Sequence, residues 1–368
     1  MIKLTKPYIS KEEYRNVKKV LKSGNLTEGI YARELEKQIC DYIGTSKAFV
    51  TSSATTGMQL ALTAFNIGYL DEVIIPDFSF PATANAVIAV GATPIVVDIK
   101  VSSFCIDPQL IEAKITERTK AIMPVHAFGR CADMYEILRI ARKNNLVVIE
   151  DAACAIGSKI DNFYAGSFGD CGVFSFHPRK VITTGEGGAI ATNDAQIAEK
   201  ISLLRSHGGS RNKFRFIDFI EAGFNYRMSD VNAAIGLAQF LKIQEIIKNR
   251  RAVAEHYSVT FKDSPHIQLQ HIPDNYFSTY QSFVVLLRED IPRNHVLDEL
   301  YNLGIETTIG TYSISSQPYW EKIFQRELAV PNSRSAFQQS ISLPISASIK
   351  RKEIDFVLDN VKKVLEKY

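Results

Sequence analysis

The stretch Phe174-Ser175-Phe176-His177-Pro178-Arg179-Lys180-Val181-Ile182-Thr183-Thr184-Gly185-Glu186-Gly187-Gly188 decides how the 368-residue chain is read. Val173, Phe174 and Phe176 predict a short buried strand that Pro178 stops, so Lys180 falls in a loop kept tight by Gly185, Gly187 and Gly188. A lone lysine in a loop is ordinarily a solvated surface charge. Here Ser175, just upstream, offers a hydroxyl suited to a phosphate, and an amine in a partly desolvated pocket becomes a nucleophile for a carbonyl. Amine and phosphate ligand together suggest pyridoxal phosphate, provided the rest of the chain builds a site around them.

Working outward, Leu146 to Ile149 predicts a continuous apolar strand that ends on Glu150 and Asp151, preceded by a helix from Asp133 to Asn144 and a strand from Ala121 to Val125. Further upstream, Val73 to Ile75 and Thr93 to Val97 read as strands, with Phe80-Pro81-Ala82-Thr83 leading into the helix between them. Ser10 and Glu13 form a capping box for a first helix ending at Gly24, and Tyr31 to Ile43 forms a second. Ala48 to Val50 then runs into a turn rich in Ser and Thr, from Thr51 to Gly57, that opens a helix expected over Met58 to Phe65. Such a turn presents free amides and the positive end of the helix dipole to an anion.

Continuous apolar strands separated by helices predict an α/β fold with a mostly parallel central sheet covered on both faces. Ligands gather at the carboxyl ends of such strands, where Ser53, Phe80, Asp151 and Ser175 all fall. Downstream, Ala198 to Leu204 is helical, and Val231 to about Val259 reads as predominantly helical, linking a large domain (1–245) to a smaller C-terminal α+β domain (246–368). There, Tyr280 to Leu287 alternates like a strand, and Val296–Leu303 and Lys352–Tyr368 read as helices.

Composition is that of an ordinary globular protein, 46% apolar and 23% charged. A net charge of +3 with dispersed basic residues asks for no nucleic acid. Five cysteines (Cys40, Cys105, Cys131, Cys154, Cys171), without a CxxC pair, argue against a disulfide framework or structural zinc and suit a reducing cytoplasm; no metal site is expected. No targeting signal and no membrane-length apolar run are visible.

The series Ser53-Ala54-Thr55, Phe80-Pro81-Ala82-Thr83, Pro124 to Gly129, Glu150-Asp151-Ala152-Ala153, Ser175 to Lys180, Gly185 to Gly188 and Gly223 to Met228 resembles the DegT/DnrJ/StrS sugar aminotransferases, within fold type I of the pyridoxal-phosphate enzymes. The resemblance runs from about Pro7 to the end of the chain. It implies that Lys180 bonds to pyridoxal 5'-phosphate, is displaced by an amino donor, and then shuttles protons as general acid and base. It implies that Asp151 pairs with the pyridinium nitrogen, that Phe80 stacks on the ring, and that Ser53, Ala54, Thr55 and Ser175 hold the phosphate. His177 lies near the lysine and contacts the sugar or serves as a structural histidine; for His126 and His207 the structural role is expected. By the same resemblance Asn225 would reach the phosphate in the neighbouring subunit's site, which implies a homodimer with shared sites. Cys154 stands near the cofactor's O3' where many relatives have Gln or His, and Ser315 stands where relatives usually carry His in a segment that helps bind the sugar nucleotide.

The implied reaction moves an amino group from an amino acid, L-glutamate, to a nucleotide-linked keto-sugar, an NDP-4-keto-6-deoxyhexose, in amino-sugar and polysaccharide biosynthesis such as that of lipopolysaccharide O-antigen. A 3-keto sugar or a cyclic keto-polyol remains open as acceptor. Members acting as dehydratases replace the lysine with histidine, so Lys180 argues against that route. A nucleotide-binding regulatory module is the reading from another class; the chain lacks a GxGxxG between strand and helix.

Overall fold

The computed structural model describes residues 1–324 and 328–368. Its main sheet has seven strands, in spatial order Lys47–Thr51, Gly188–Thr192, Cys171–Ser175, Val147–Asp151, Thr119–Ile122, Glu72–Pro76 and Thr93–Val97. Gly188–Thr192 runs antiparallel to both its neighbours, and the remaining pairings are parallel. The strands read as continuous apolar runs because successive side chains enter two different cores. Val73, Ile75, Ala121, Ile149, Val173 and Ile190 pack with the helices Ala54–Ala64 and Ala82–Ala89. Ile74, Ile122, Val148, Phe174 and Ala189 pack on the other face with Leu35 and Ile39 of Ile30–Ile43 and Ile137 and Ile140 of Met134–Asn144. Adjacent residues at a strand end therefore serve opposite faces.

Local signals explain most element boundaries. The Ser10 and Glu13 capping box opens the helix Lys11–Ser23, and Gly24 closes it at φ 74°. The third helix starts at Ala54 instead of Met58, because Ser53 accepts a bond from Thr56 N and draws the small hydroxylic residues into the first turn. The long helical segment divides into Asp230–Phe240 and Ile243–Phe261, so residue 245 lies inside the second of these helices.

A second sheet, Ile267–Leu269, Phe283–Leu287 and Ser340–Leu343, is antiparallel throughout. The alternation expected over Tyr280–Leu287 is absent: Phe283–Leu287 is buried at every position. Phe283, Val285 and Leu287 pack with the helices Arg293–Asn302 and Arg351–Leu365, while Val284 and Leu286 back onto the core of the large sheet. Further contacts join residues 305–345 to earlier parts of the chain. Ile2 bridges Ile305 and Leu4 accepts from Ile345 N, while Tyr312–Ser313 pairs with Phe78–Ser79 beside the main sheet.

Candidate active site

The register of the main sheet gathers the expected residues on one edge. Thr51 and Ser175 both stand opposite Gly188, and Val173 stands opposite Asp151 on the next strand. Asp151 and Ser175 share the face that carries Ile149 and Val173, over which the helix Ala54–Ala64 lies. Glu150 points to the other face. There it accepts from Gly166 N, Phe168 N and Gly169 N, each at 2.7 Å, and pairs with His126 Nε2 at 2.8 Å. His126 Nδ1 accepts from Ala132 N at 3.0 Å, so this histidine is a structural one as expected.

The helix N-terminus beside Ser175 is built for an anion. Ser53 caps Thr56 N at 3.1 Å, and the amides of Ala54 and Thr55 ahead of it are among those a helix leaves without an intrahelical acceptor. A β carbon at Gly188 would stand 2.6 Å from Ala54 N, Ser53 C and Phe174 O, so only glycine lets this terminus rest on the sheet. The loop from Gly223 to Met228 closes the far side: Ser52 N donates to Tyr226 O and Thr51 bridges Arg227. Asn225 in that loop is exposed and bridges Ser206 through its backbone.

Lys180 reaches the turn that follows Asp151. Its Nζ lies 3.0 Å from Cys154 Sγ, in the turn held by the bond from Ala153 N to Asp151 Oδ1. The remaining oxygen, Oδ2, accepts from Thr83 at 2.8 Å. His177, half-buried, stands with Nε2 3.9 Å from Glu186, and burial pushes its ring below the usual 6.5 despite that carboxylate. Phe80 is 64% exposed and meets the Tyr312 ring edge-on, with centroids 6.3 Å apart. Asp77, whose carboxyl burial pushes up, fixes the segment that follows by accepting from Ser313 Oγ at 2.6 Å and Ser315 N at 2.8 Å. Sequence reading gave Asp77, Ser79 and Thr83 no role. The hint was a cluster of small polar residues around Phe80, whose partners lie far along the chain.

Amine, buried carboxylate with lone pairs to spare, and free amides at a helix N-terminus match the carbonyl, ring nitrogen and phosphate of pyridoxal phosphate. A doubly covered, mostly parallel sheet bearing this set defines a pyridoxal-phosphate-dependent transferase of fold type I. The chain belongs to the DegT/DnrJ/EryC1/StrS aminotransferase family, which it matches over residues 7–362. It is 38% identical over 347 residues to GDP-perosamine synthase of Caulobacter vibrioides, a match covering 92% of this chain and 91% of that one. With the spore coat polysaccharide biosynthesis protein SpsC of Bacillus subtilis it shares 33% identity over 375 residues, 98% of this chain and 96% of the other. The structure of Helicobacter pylori PseC, an aminotransferase involved in the biosynthesis of pseudoaminic acid, covers 100% of both chains at 30% identity with a TM-score of 0.95. The chain is a sugar aminotransferase that uses pyridoxal phosphate.

Proposed function

We propose that this enzyme transfers the amino group of L-glutamate to C4 of a nucleoside-diphosphate-linked 4-keto-6-deoxyhexose, in amino-sugar and polysaccharide biosynthesis. The observation that carries the chemistry is the 3.0 Å approach of Lys180 Nζ to the turn directly after Asp151, which keeps amine and carboxylate on one edge of the sheet. The name of the Caulobacter relative, a perosamine synthase, supports the choice of acceptor. In this reading residues 1–245 carry the cofactor site and 246–368 form the smaller domain, whose returning segment with Tyr312 and Ser315 adjoins Phe80 and Asp77.

Bound pyridoxal phosphate would supply a carbonyl that takes up an amino group and an electron sink for the bond cleaved beside it. The side chains do the rest. Lys180 Nζ would hold the group through its carbonyl carbon and, once freed by a donor amine, would serve as the general acid and base that moves the proton. Asp151 holds the proton on the ring nitrogen; Ser53, Ser175, Thr55 and the amides of Ala54 and Thr55 bind the phosphate, and Phe80 covers the ring. His177 would meet the sugar, and the Cys154 thiol would stand at the O3' side. Asn225 completes the phosphate site of a second copy, which makes the working unit a homodimer. Its exposure supports this, as does the neighbouring hairpin Gly209–Phe219, where Phe216 and Phe219 are exposed.

The test is visible absorbance. The purified enzyme should be yellow, lose that band on addition of glutamate alone, and regain it when a 4-keto nucleotide sugar is added. Lys180→Ala should bind the cofactor without the lysine-linked band and lose transamination by at least about 1,000-fold, since it removes both nucleophile and acid/base. Turnover within tenfold of wild type in that variant would sink the mechanism. Regain of the band with a 3-keto sugar or a keto-polyol and not with the 4-keto sugar would reassign the acceptor.

A further inference from the structure

Asp151 is oriented by more than its own strand. Thr83 Oγ1 lies 2.8 Å from Asp151 Oδ2, and Ser79 Oγ lies 2.9 Å from Thr83 Oγ1. All three side chains are buried, Ser79 at 3%, Thr83 at 1% and Asp151 at 5% exposure. An ionised carboxylate has no proton to give, so Thr83 is the donor to Asp151. A hydroxyl has one proton, so Thr83, having spent its own, accepts from Ser79. The relay thus has a single direction, from Ser79 through Thr83 to Asp151.

Its two hydroxyls come from separate pieces of structure. Ser79 ends the two-residue strand that pairs with Tyr312–Ser313, and Thr83 lies in the first turn of the helix Ala82–Ala89. Oδ1 of Asp151 meanwhile accepts from Ala153 N at 3.2 Å. Each carboxylate oxygen therefore has one fixed donor and keeps one lone pair, and the plane of the carboxylate is set from both sides. The main chain of the same residue is held by Pro124 and His126 on the neighbouring segment.

We infer that Thr83, backed by Ser79, is a positioning residue for transamination: it fixes the Asp151 carboxylate so that the ring proton of the cofactor stays in place. This rests on the reading of Asp151 as the partner of the ring nitrogen. A pair of hydroxyls that merely filled the core would leave the state of that nitrogen unchanged when replaced by apolar groups of similar shape.

The experiment uses holoenzyme loaded with pyridoxal phosphate carrying 15N in the ring, whose chemical shift reports protonation directly, alongside steady-state kinetics. In Thr83→Val the nitrogen signal should move towards that of the unprotonated ring, and kcat should fall about 10- to 100-fold with KM for glutamate changed less than about threefold. Thr83→Ser, which keeps the donor, should restore both. Ser79→Ala should move the signal in the same direction by less, and it decides the matter if Thr83→Val fails to fold. Asp151→Asn separates the two claims. If it leaves the nitrogen signal at the wild-type position, the assignment of Asp151 itself falls. If it moves the signal while neither Thr83→Val nor Ser79→Ala does, the relay is overturned and Asp151 keeps its role.

Discussion

His177 carries a prediction that depends on its immediate surroundings. Its Nδ1 accepts from Arg179 N at 3.2 Å, which leaves the proton of the neutral ring on Nε2, facing outwards. Burial lowers its proton affinity below the ordinary 6.5, with Glu186 opposing and Lys180 and Arg179 assisting. The sign follows: the folded state binds this proton less readily than the unfolded chain, so the ring is neutral at pH 7 and costs stability as pH falls below 6.5. An NMR titration should place its midpoint below 6.5, and a midpoint above that value would contradict the assignment. At this scale the sequence was legible wherever a residue sits at a strand end, as Asp151 and Ser175 do, because strand ends are marked by where apolar runs stop. It was illegible for the contacts of Cys154 with Lys180 and of Thr83 with Asp151, since side-chain meetings across 26 and 68 residues depend on how helices settle on the sheet.

The first helix, Lys11–Ser23, shows what a single buried carboxylate does for an element. Glu13, 3% exposed, accepts from Ser10 N at 2.9 Å and from Lys242 Nζ at 2.5 Å, and it also bonds Gln239 of the helix Asp230–Phe240. Burial alone would raise its pKa, but the bonds from Lys242, Ser10 and Gln239 outweigh it and bring the group from 4.5 to about 2. A depressed carboxylate stabilises the fold above its unfolded value, and that contribution is lost as pH falls from 4.5 towards about 2. Glu13→Ala should cost about 3 kcal/mol at pH 7, measured by urea unfolding, because it strands the Lys242 ammonium. The cost should shrink as the pH is lowered through that window; a cost independent of pH would refute the ion-pair account. The capping box at Ser10 and Glu13 was legible, being a local pattern, whereas the reach of Glu13 to Lys242 was not. The start of the helix at Ala54 was misjudged for a different, local reason: the cap belongs to Ser53, and a run of hydroxylic residues offers several equivalent caps.

At the scale of the whole molecule, the alternation of strand and helix sufficed to predict a mostly parallel sheet, because strands buried on both faces have few other homes. The antiparallel strand Gly188–Thr192 escaped, since its β-branched residues Ile190 and Thr192 stand among Gly and Ala and follow a glycine-rich loop. The proposed shared-site dimer makes a prediction that a monomer could not meet. Lys180→Ala and Asn225→Ala proteins, each inactive at limiting cofactor, should on mixing and subunit exchange recover about a quarter of wild-type activity, because half the dimers then hold one intact site. Absence of any recovery, with exchange verified by mass, would show that each site is complete within one chain. One pairing also bears on how the molecule comes into being. Ile2 exchanges backbone bonds with Gly304 and Glu306, and Leu4 receives one from Ile345. On the ribosome residues 2–4 must wait for residues 304–345 before they find these partners, so a nascent chain stalled before residue 304 should leave residues 2–4 open to proteases while its main sheet is already closed.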